Sequence, residues 1–502
     1  MTAKNHLPKM RKKIMGSTPV YNAVYALCTL HFALIIGCAS APRIQKTGIQ
    51  TPPNWQTKTS TTAPADTLWW ATFNDTYLDS LVTKALAQNY SLKAAASRLK
   101  AAQAQAKIAG APLYPQIGAG FSGSKRKQNF IGFPLPGQAG DEIASTISTT
   151  YGVSVNASWE IDLWGRLSAG QSAALASYQA SQATYRGTRM SLAAQTAKAY
   201  FAAIEAKRQL ELAQATYKDN QTSNAQVRIR YERGVRPSLD MRSSESSLAS
   251  SKDRLHQREQ LYDIAVRQLE ILLGGYPSGK LTITGGLPQI PEPVPAGLPA
   301  DIIARRPDLV TAERRLAATQ ANHKAAKRAR YPRISLTASS GRSTNVLGDL
   351  LNGDYSVWSL VTNLTQPLFQ GGRIRGNIDL TKAQANEATA NFAQAALQAY
   401  AEVENTLSAE QYLAKRQEAL EVATEQASEA RRLAEDRYNR GLTDLITMLQ
   451  TRSTAYITES QLLSVLRQRL NARIDLHLAL GGGFPDRATL LSSSRPTGEN
   501  RQ

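Results

Sequence analysis

The sequence predicts a mainly helical chain with a transmembrane β part, built from two copies of one unit. Three observations predict it: one turn motif occurs twice, each copy holds a long proline-free run of helix-forming residues, and four segments alternate between apolar and polar residues. The motif "RYERGV" (Arg230–Val235) returns as "RYNRGL" (Arg437–Leu442), about 207 residues later. The same offset aligns Gly165 and Arg166 with Gly372 and Arg373, Tyr185 with Phe392, Gly234 with Gly441 and Gly274 with Gly481, in register for about 110 residues. Upstream the offset becomes about 217, pairing Leu92 with Leu309, Leu99 with Leu316, and "LYPQI" at Leu113 with "RYPRI" at Arg330. The copies therefore differ in length only between the "YP" and the "GR".

Taken in chain order, residues 1–37 read as an export signal: "KMRKKIMGSTPVYNAVYALCTLHFALIIGCAS" runs from a basic region through an apolar one to small residues. An uncleaved anchor helix is the alternative. The chain is not polytopic, since no other segment approaches a spanning apolar run. "LIIGC" (Leu34–Cys38) resembles the lipobox of bacterial lipoproteins. That implies Cys38 is the first mature residue and carries acyl chains; more than one chain anchors stably where a single one is marginal. Ala39 after the cysteine, in place of an aspartate, implies the outer membrane. A buried structural cysteine is the other reading of Cys38. Cys28, the only other cysteine, leaves with the signal, so no disulfide remains. Residues 38–68 are an extended segment.

Repeat unit 1 spans 69–298. It opens with a helix over about Tyr77 to Gly110, followed by a strand pair at 116–163. "TYGVSVNASWEIDL" puts Tyr151, Val153, Val155, Ala157, Trp159 and Ile161 on one face and Gly152, Ser154, Asn156, Ser158, Glu160 and Asp162 on the other, because successive strand side chains point opposite ways. Ile117, Ala119 and Phe121 repeat the pattern across the loop "NFIGFPLPGQAGDE". From Arg166 to Arg230 there is no proline, and Tyr178, Tyr185, Leu192 and Ala199 fall at heptad spacing, which predicts one helix about 98 Å long. After a turn at 231–237, Ser238 to Leu273 gives a helix of about 54 Å, ended by "GGYPSG", and a Pro/Gly-rich connector closes the unit.

Repeat unit 2 spans 299–482 and repeats the order: a helix of about 47 Å from Ala300 to Arg330, a strand pair at 333–369, a long helix from Arg375 to Tyr438, a turn at 438–444 and a return helix from Asp444 to Leu480. Ile334, Leu336, Ala338, Trp358, Leu360 and Leu364 mark its apolar strand face. Two shorter helices end to end match one long one, so the chain descends in one rod and climbs back in two. Residues 483–502 read as a polar, disordered tail. With helical rods on both sides, no further segment is left to cover the apolar strand face, and lipid covers it instead. Four strands cannot close a membrane barrel, since single-chain examples start at eight and an open edge in lipid leaves backbone groups unpaired. The barrel is shared among chains, as a dimer of eight strands or a trimer of twelve.

Composition removes other classes. The net charge of +20 falls to about +15 without Lys4, Lys9, Arg11, Lys12 and Lys13. What remains is spread along helices with interspersed acids, so no nucleic-acid groove is indicated. "GAGFSG" (Gly118–Gly123) matches GxGxxG but lies inside a strand and opens no helix, so it is no dinucleotide site. His256, His323 and His477 each stand alone on helices as surface or packing residues, without metal-ligand spacing. No serine sits in a GxSxG elbow. No catalytic residue, metal or cofactor is expected, and the chain is not expected to be an enzyme.

The chain resembles the TolC-like outer-membrane factor family, in its lipidated branch serving resistance-nodulation-division efflux pumps. The resemblance runs from about Trp69 to Gly482 and rests on "WWATFNDTYLDSLVTKALAQNYSLKAAASRL", "SWEIDLWGRLSAGQSAA", "VPAGLPADIIARRPDLVTAERRLAATQA" and the two "RYxxG" turns. It implies a homotrimer with a twelve-strand outer-membrane β-barrel above a periplasmic α-barrel, in the outer membrane of a Gram-negative bacterium. It implies as partners a periplasmic adaptor protein, an inner-membrane pump and outer-membrane lipid. The implied function is the passive outer-membrane duct of a tripartite pump exporting drugs, toxic compounds or metal ions. The alternatives are a type I protein-secretion conduit, disfavoured by the lipobox and "RRPDL", and a lipid-anchored periplasmic coiled-coil scaffold with no pore, which has no use for amphipathic strands.

The repeated turns are the candidate functional site. Gly234 and Gly441 take the positive φ that reverses each rod. Tyr231, Val235, Tyr438 and Leu442 beside them are the expected adaptor contacts. Arg233, Asp240, Arg440 and Asp444 are the expected gate, with Asp240 or Asp444 pairing with Arg233 or Arg440; ordinary capping or solvated charge is the alternative. The second turn departs from the family's pattern, since "GLTDLITML" has Thr447 where "GVRPSLDM" has Asp240.

Overall fold

The computed structural model describes residues 55–57, 69–131, 143–291, 299 and 301–482. The export signal, Cys38, most of the 38–68 segment, the end of the connector and the 483–502 tail lie outside the described residues. All the described elements belong to one compact unit, Ile44–Gln502.

The first helix of each repeat is broken where the sequence suggested continuity. In repeat 1, α1 (Thr76–Gln88) and α2 (Tyr90–Gly110) meet at Asn89, whose extended backbone ends one helix while its side chain accepts from Leu92 N and caps the next. Such a cap satisfies a donor that the helix itself cannot. Asp75 does the same for α1, accepting from Tyr77 N and Leu78 N. In repeat 2, α5 (Asp301–Arg305) and α6 (Pro307–Arg328) meet at Arg306, also extended. The cause there is Pro307, whose ring disfavours helical backbone in the residue before it. Asn89 and Arg306 are repeat-equivalent, so two different chemistries produce one break.

The strands are β1 (Gln116–Phe130), β2 (Ala144–Ile161), β3 (Arg333–Thr344) and β4 (Ser356–Thr365). They form one antiparallel sheet in the order β1-β2-β3-β4. "GAGFSG" lies within β1. The long helices α3 (Arg166–Glu232) and α7 (Arg373–Asn439) have 67 residues each, about 100 Å of rise. Each starts on a left-handed glycine, Gly165 (φ 74°) or Gly372 (φ 81°). The return helices α4 (Ser238–Leu272) and α8 (Leu445–Ala479) have 35 residues each, about 53 Å. The long helices outrun the expected turns by a residue or two, so the turns proper are 233–237 and 440–444.

The main core lies midway along α3, where α1, the end of α4, the connector and α8 converge. Trp69, Leu78, Phe201, Ile204, Leu269, Ile283 and Leu470 are all buried there. Of the heptad positions, Leu192 is buried in this core, and Tyr185 and Ala199 pack against it. His477 stacks on Trp69 at 5.7 Å between ring centroids. The repeat-equivalent core on α7 is smaller, built from Ala396, Ala399, Val403, Leu309 and Leu476. Trp55 joins it edge-on to Tyr400, and Glu404 accepts from Gln56 N (2.7 Å), Thr57 N (3.1 Å) and Thr57 Oγ1 (2.6 Å). Burial alone would raise the Glu404 carboxyl, but these hydrogen bonds hold it below the ordinary carboxylate value.

Candidate functional site

The sheet separates two chemistries by register. Ile117 pairs with Ala157, Ala157 with Ala338 and Ala338 with Leu360, one apolar rung across four strands. The next rung, Gly118, Asn156, Ser339 and Ser359, is polar. Because a one-residue step flips the face, Ile117, Ala119 and Phe121 of β1, Val153, Val155 and Trp159 of β2, Leu336 of β3 and Trp358, Leu360 and Leu364 of β4 share one side. They are uncovered: Ile117 is 74%, Phe121 64% and Trp358 81% exposed. β1 and β4 each have one ladder partner, so both outer edges are open. Among the described residues no helix is long and apolar enough to cross a membrane.

At the far end of the long helices, each turn closes with the same paired hydrogen bonds. Gly234 N donates to Tyr231 O (2.8 Å) and Val235 N to Arg230 O (2.9 Å); Gly441 N donates to Tyr438 O (3.0 Å) and Leu442 N to Arg437 O (2.8 Å). These satisfy carbonyls that a helix end leaves open, and they require a left-handed residue. Gly234 (φ 70°) and Gly441 (φ 79°) supply it, and a Cβ on either would meet nothing within 4 Å. The residue after the glycine in such a motif ordinarily packs back on its helix. Here Val235 and Leu442 stay 68% and 64% exposed.

The two tyrosines differ. Tyr231 is exposed, but Tyr438 is buried among Val227, Met241, Leu445 and Met448. The Arg230 and Arg236 guanidiniums lie over its ring at 5.6 and 5.0 Å. Tyr438 is therefore corrected from adaptor contact to packing residue between the two hairpins. The gate charges also pair differently from expectation. Within the chain, Asp240 pairs with Arg236 (3.6 Å) and not with Arg233 or Arg440. Arg440 pairs with Asp436 (3.0 Å), and Asp444 caps α8 by accepting from Thr447 N (2.8 Å) and Thr447 Oγ1 (3.0 Å). Those two bonds hold the Asp444 carboxyl below the ordinary aspartate value. Arg233 makes no ion pair among the described residues.

Arg236, which pairs with Asp240 and lies over the Tyr438 ring, is a tip residue that the sequence reading did not single out. Its spacing of four from Asp240 is the signal in the sequence that marks the pair, whereas Arg233 and Arg440 are the arginines that the repeat duplicates. In repeat 2 its equivalent is Thr443 and that of Asp240 is Thr447, so capping by Asp444 replaces the ion pair. Arg306 of "RRPDL" was also missed. It is 6% exposed and donates to Asp308 (2.7 Å), Glu402 (2.6 Å) and Ala479 O (3.0 Å), locking the start of α6 onto α7 and α8. Among the described residues no group of three His, Cys, Asp or Glu is placed to hold a metal.

An amphipathic sheet with open edges, carried on helices of about 100 Å that end in exposed apolar turns, defines one protomer of a membrane-spanning channel. The comparisons agree. Residues 81–275 and 298–482 match the outer membrane efflux protein family. The pyoverdine export outer membrane protein OpmQ of Pseudomonas putida is 31% identical over 91% of this chain and 97% of its own. The outer membrane protein OprJ of Pseudomonas aeruginosa is 31% identical over 93% of this chain and 98% of its own. The open-state structure of the Neisseria gonorrhoeae MtrE outer membrane channel superposes with a TM-score of 0.77 at 29% identity, covering 89% of this chain and 98% of that one. This chain belongs to the outer membrane efflux protein family.

Proposed function

We propose that this chain is the outer-membrane component of a tripartite efflux pump, working as a passive trimeric duct for small molecules. The observation that carries the reading is the sheet: an uncovered apolar face, a polar face behind it, and two open edges. Exposed edges in lipid leave backbone donors and acceptors unpaired, which closure among chains removes. Three chains of four strands give a closed barrel above a tube of helices. A wide hydrated tube selects little, so cargo choice lies with the pump. That one relative is named for pyoverdine export supports small-molecule cargo.

The tip supplies the remaining roles. Val235 and Leu442, with the exposed Tyr231, offer apolar contacts to an adaptor protein, six such turns in a trimer. Arg236, held between Asp240 and the Tyr438 ring, keeps hairpin 1 against hairpin 2 and so keeps the tip narrow. Cys38 is the proposed lipid anchor. The test is reconstitution of the purified full-length protein into planar bilayers, with native mass measured in mild detergent. A trimer that conducts once its tip is opened is expected. A monomer, or a trimer with no conductance even when Asp240 is changed to Asn, would overturn the duct.

A further inference from the structure

The outward face of the sheet turns from apolar to basic just past the point where hydrocarbon ends. The strands meet the helices at Gln116, Ile161, Arg333 and Thr365, so their opposite ends lie across the membrane from the helices. On the side that carries Ile117 and Leu360, β2 runs from Ile161 through Trp159, Ala157, Val155 and Val153 to Tyr151. That is about 34 Å of strand, or about 26 Å of height at a tilt of about 35–45°, which matches the apolar band of a membrane barrel. Aromatic rings stand at both limits: Tyr151 at the far one, and at the near one Trp164, whose ring centroid is 5.3 Å from that of Tyr331. Such residues favour the membrane–water boundary because each joins an apolar ring to a polar group. Among the described residues the band holds one outward charge, Arg342, and its Nη1 donates to Leu351 O in the connection to β4.

β1 and β2 continue where β3 and β4 stop. The last partner of β2 in β3 is Thr344, opposite Tyr151, whereas β1 and β2 stay paired for seven more rungs, from Ser124 with Thr150 to Phe130 with Ala144. The step of two that puts Ile117, Ala119 and Phe121 outward carries on to Lys125 and Lys127, opposite Thr149 and Ile147. Measured from the Tyr151 rung, the two lysines lie about 7 and 13 Å further along the strand. Both are exposed, and neither makes an ion pair among the described residues. Arg126 between them faces the other side, toward the inside of the barrel. The connection from β3 to β4 holds Asp349 and Asp354 and no lysine, so the outward cations past the band come from β1.

We propose that Lys125 and Lys127 bind the phosphate groups of a phosphorylated glycolipid in the outer leaflet of the outer membrane. The occupant is a lipid, because the lysines continue the same face that hydrocarbon covers below them, and only an amphipathic anion meets apolar residues and cations one above the other. A lysine stem lies along apolar surface while its ammonium group stays at the polar level, and that group pairs with phosphate as a compact point charge. The proposal rests on the reading of this face as the lipid-facing wall of a trimeric barrel, and adds the chemistry of the lipid.

The test titrates full-length trimer in mild detergent with purified lipid A, the diphosphorylated anchor of such glycolipids, and counts bound lipid by native mass spectrometry. Wild type is expected to hold diphosphorylated lipid A about 30-fold more tightly than the same lipid stripped of phosphate, as two lysines at a charged lipid surface supply. Lys125→Gln with Lys127→Gln is expected to bind the two lipids alike, and Lys125→Arg with Lys127→Arg to keep the preference. Arg126→Gln removes one charge from the inner face of the same strand and is expected to behave as wild type. Inorganic phosphate at millimolar concentration is expected not to displace the lipid, since it gains nothing from the apolar band; displacement overturns the choice of a lipid. A trimeric glutamine pair that keeps the wild-type preference, or an equal loss from Arg126→Gln, overturns the proposal and leaves the duct standing. A wild-type chain that is monomeric by native mass overturns both.

Discussion

Replacing Gly234 and Gly441 together with glutamate separates chain reversal from docking. Both glycines are left-handed, at φ 70° and 79°, and each has open space where a Cβ would go. The cost of any L-residue is therefore conformational, about 1–2 kcal/mol at each position, or about 2–4 kcal/mol for the pair. That cost falls on turns remote from the main core and from the sheet, so lipidation, trimer formation and insertion are expected to persist. What changes is a bulky charge beside Val235 and Leu442, the exposed residues that an adaptor would cover. The assay is drug susceptibility in a strain lacking its own channel, together with co-purification of the adaptor. Susceptibility equal to that of the deletion, with the adaptor lost, is expected for the glutamate pair. Gly234→Ala with Gly441→Ala incurs the same backbone cost without the bulk and is expected to retain most efflux. Unchanged resistance and unchanged adaptor recovery in a normally expressed glutamate variant would show that these turns only reverse the chain.

Four further outcomes are expected. Leu360→Lys, on the apolar rung, should lower barrel stability by about 2–4 kcal/mol, whereas Ser359→Lys on the polar face next to it should fold and alter ion selectivity; equal effects in urea unfolding would refute the assignment of faces. Arg236→Ala and Asp240→Asn should each raise single-channel conductance, because each removes the ion pair at the tip, and conductance that stays at the wild-type level in both would remove Arg236 from the gate. Glu270 accepts from Ser278 Oγ and from the backbone of Gly279, Lys280 and Leu281; burial alone would raise its carboxyl, but these bonds bring it below the ordinary value of 4.5. A depressed folded-state value means the stabilisation is full above the ordinary one and is lost as pH falls through the depressed one, so Glu270→Gln should melt below wild type at pH 7 and the gap should close in acid. Phe201→Ala, which empties part of the buried core on α3, should cost about 3–5 kcal/mol, measured by the denaturant midpoint.

The sequence by itself determined what depends on local spacing. Period-two alternation fixed which strand residues share a face, and the ladders put Ile117, Ala157, Ala338 and Leu360 on one rung as the alternation required. A proline-free run fixed the long helices to within a residue or two, since nothing in it interrupts the i→i−4 bonding. The duplicated glycine fixed both turns, because only a residue without a Cβ takes that backbone freely. Tertiary structure decided what depends on neighbours far away in the chain. Two equivalent tyrosines share the Arg-Tyr-x-Arg-Gly turn, yet Tyr438 is buried because hairpin 1 lies beside it, while Tyr231 is exposed because no hairpin of the same chain does. Arg306 took Glu402 and the Ala479 carbonyl as partners because α6 packs onto α7 and α8, which lie about a hundred or more residues further along the chain. Repetition in sequence makes local geometry repeat, but burial and charge pairing follow from what each copy meets, and in a two-repeat chain the first and second copies meet different things.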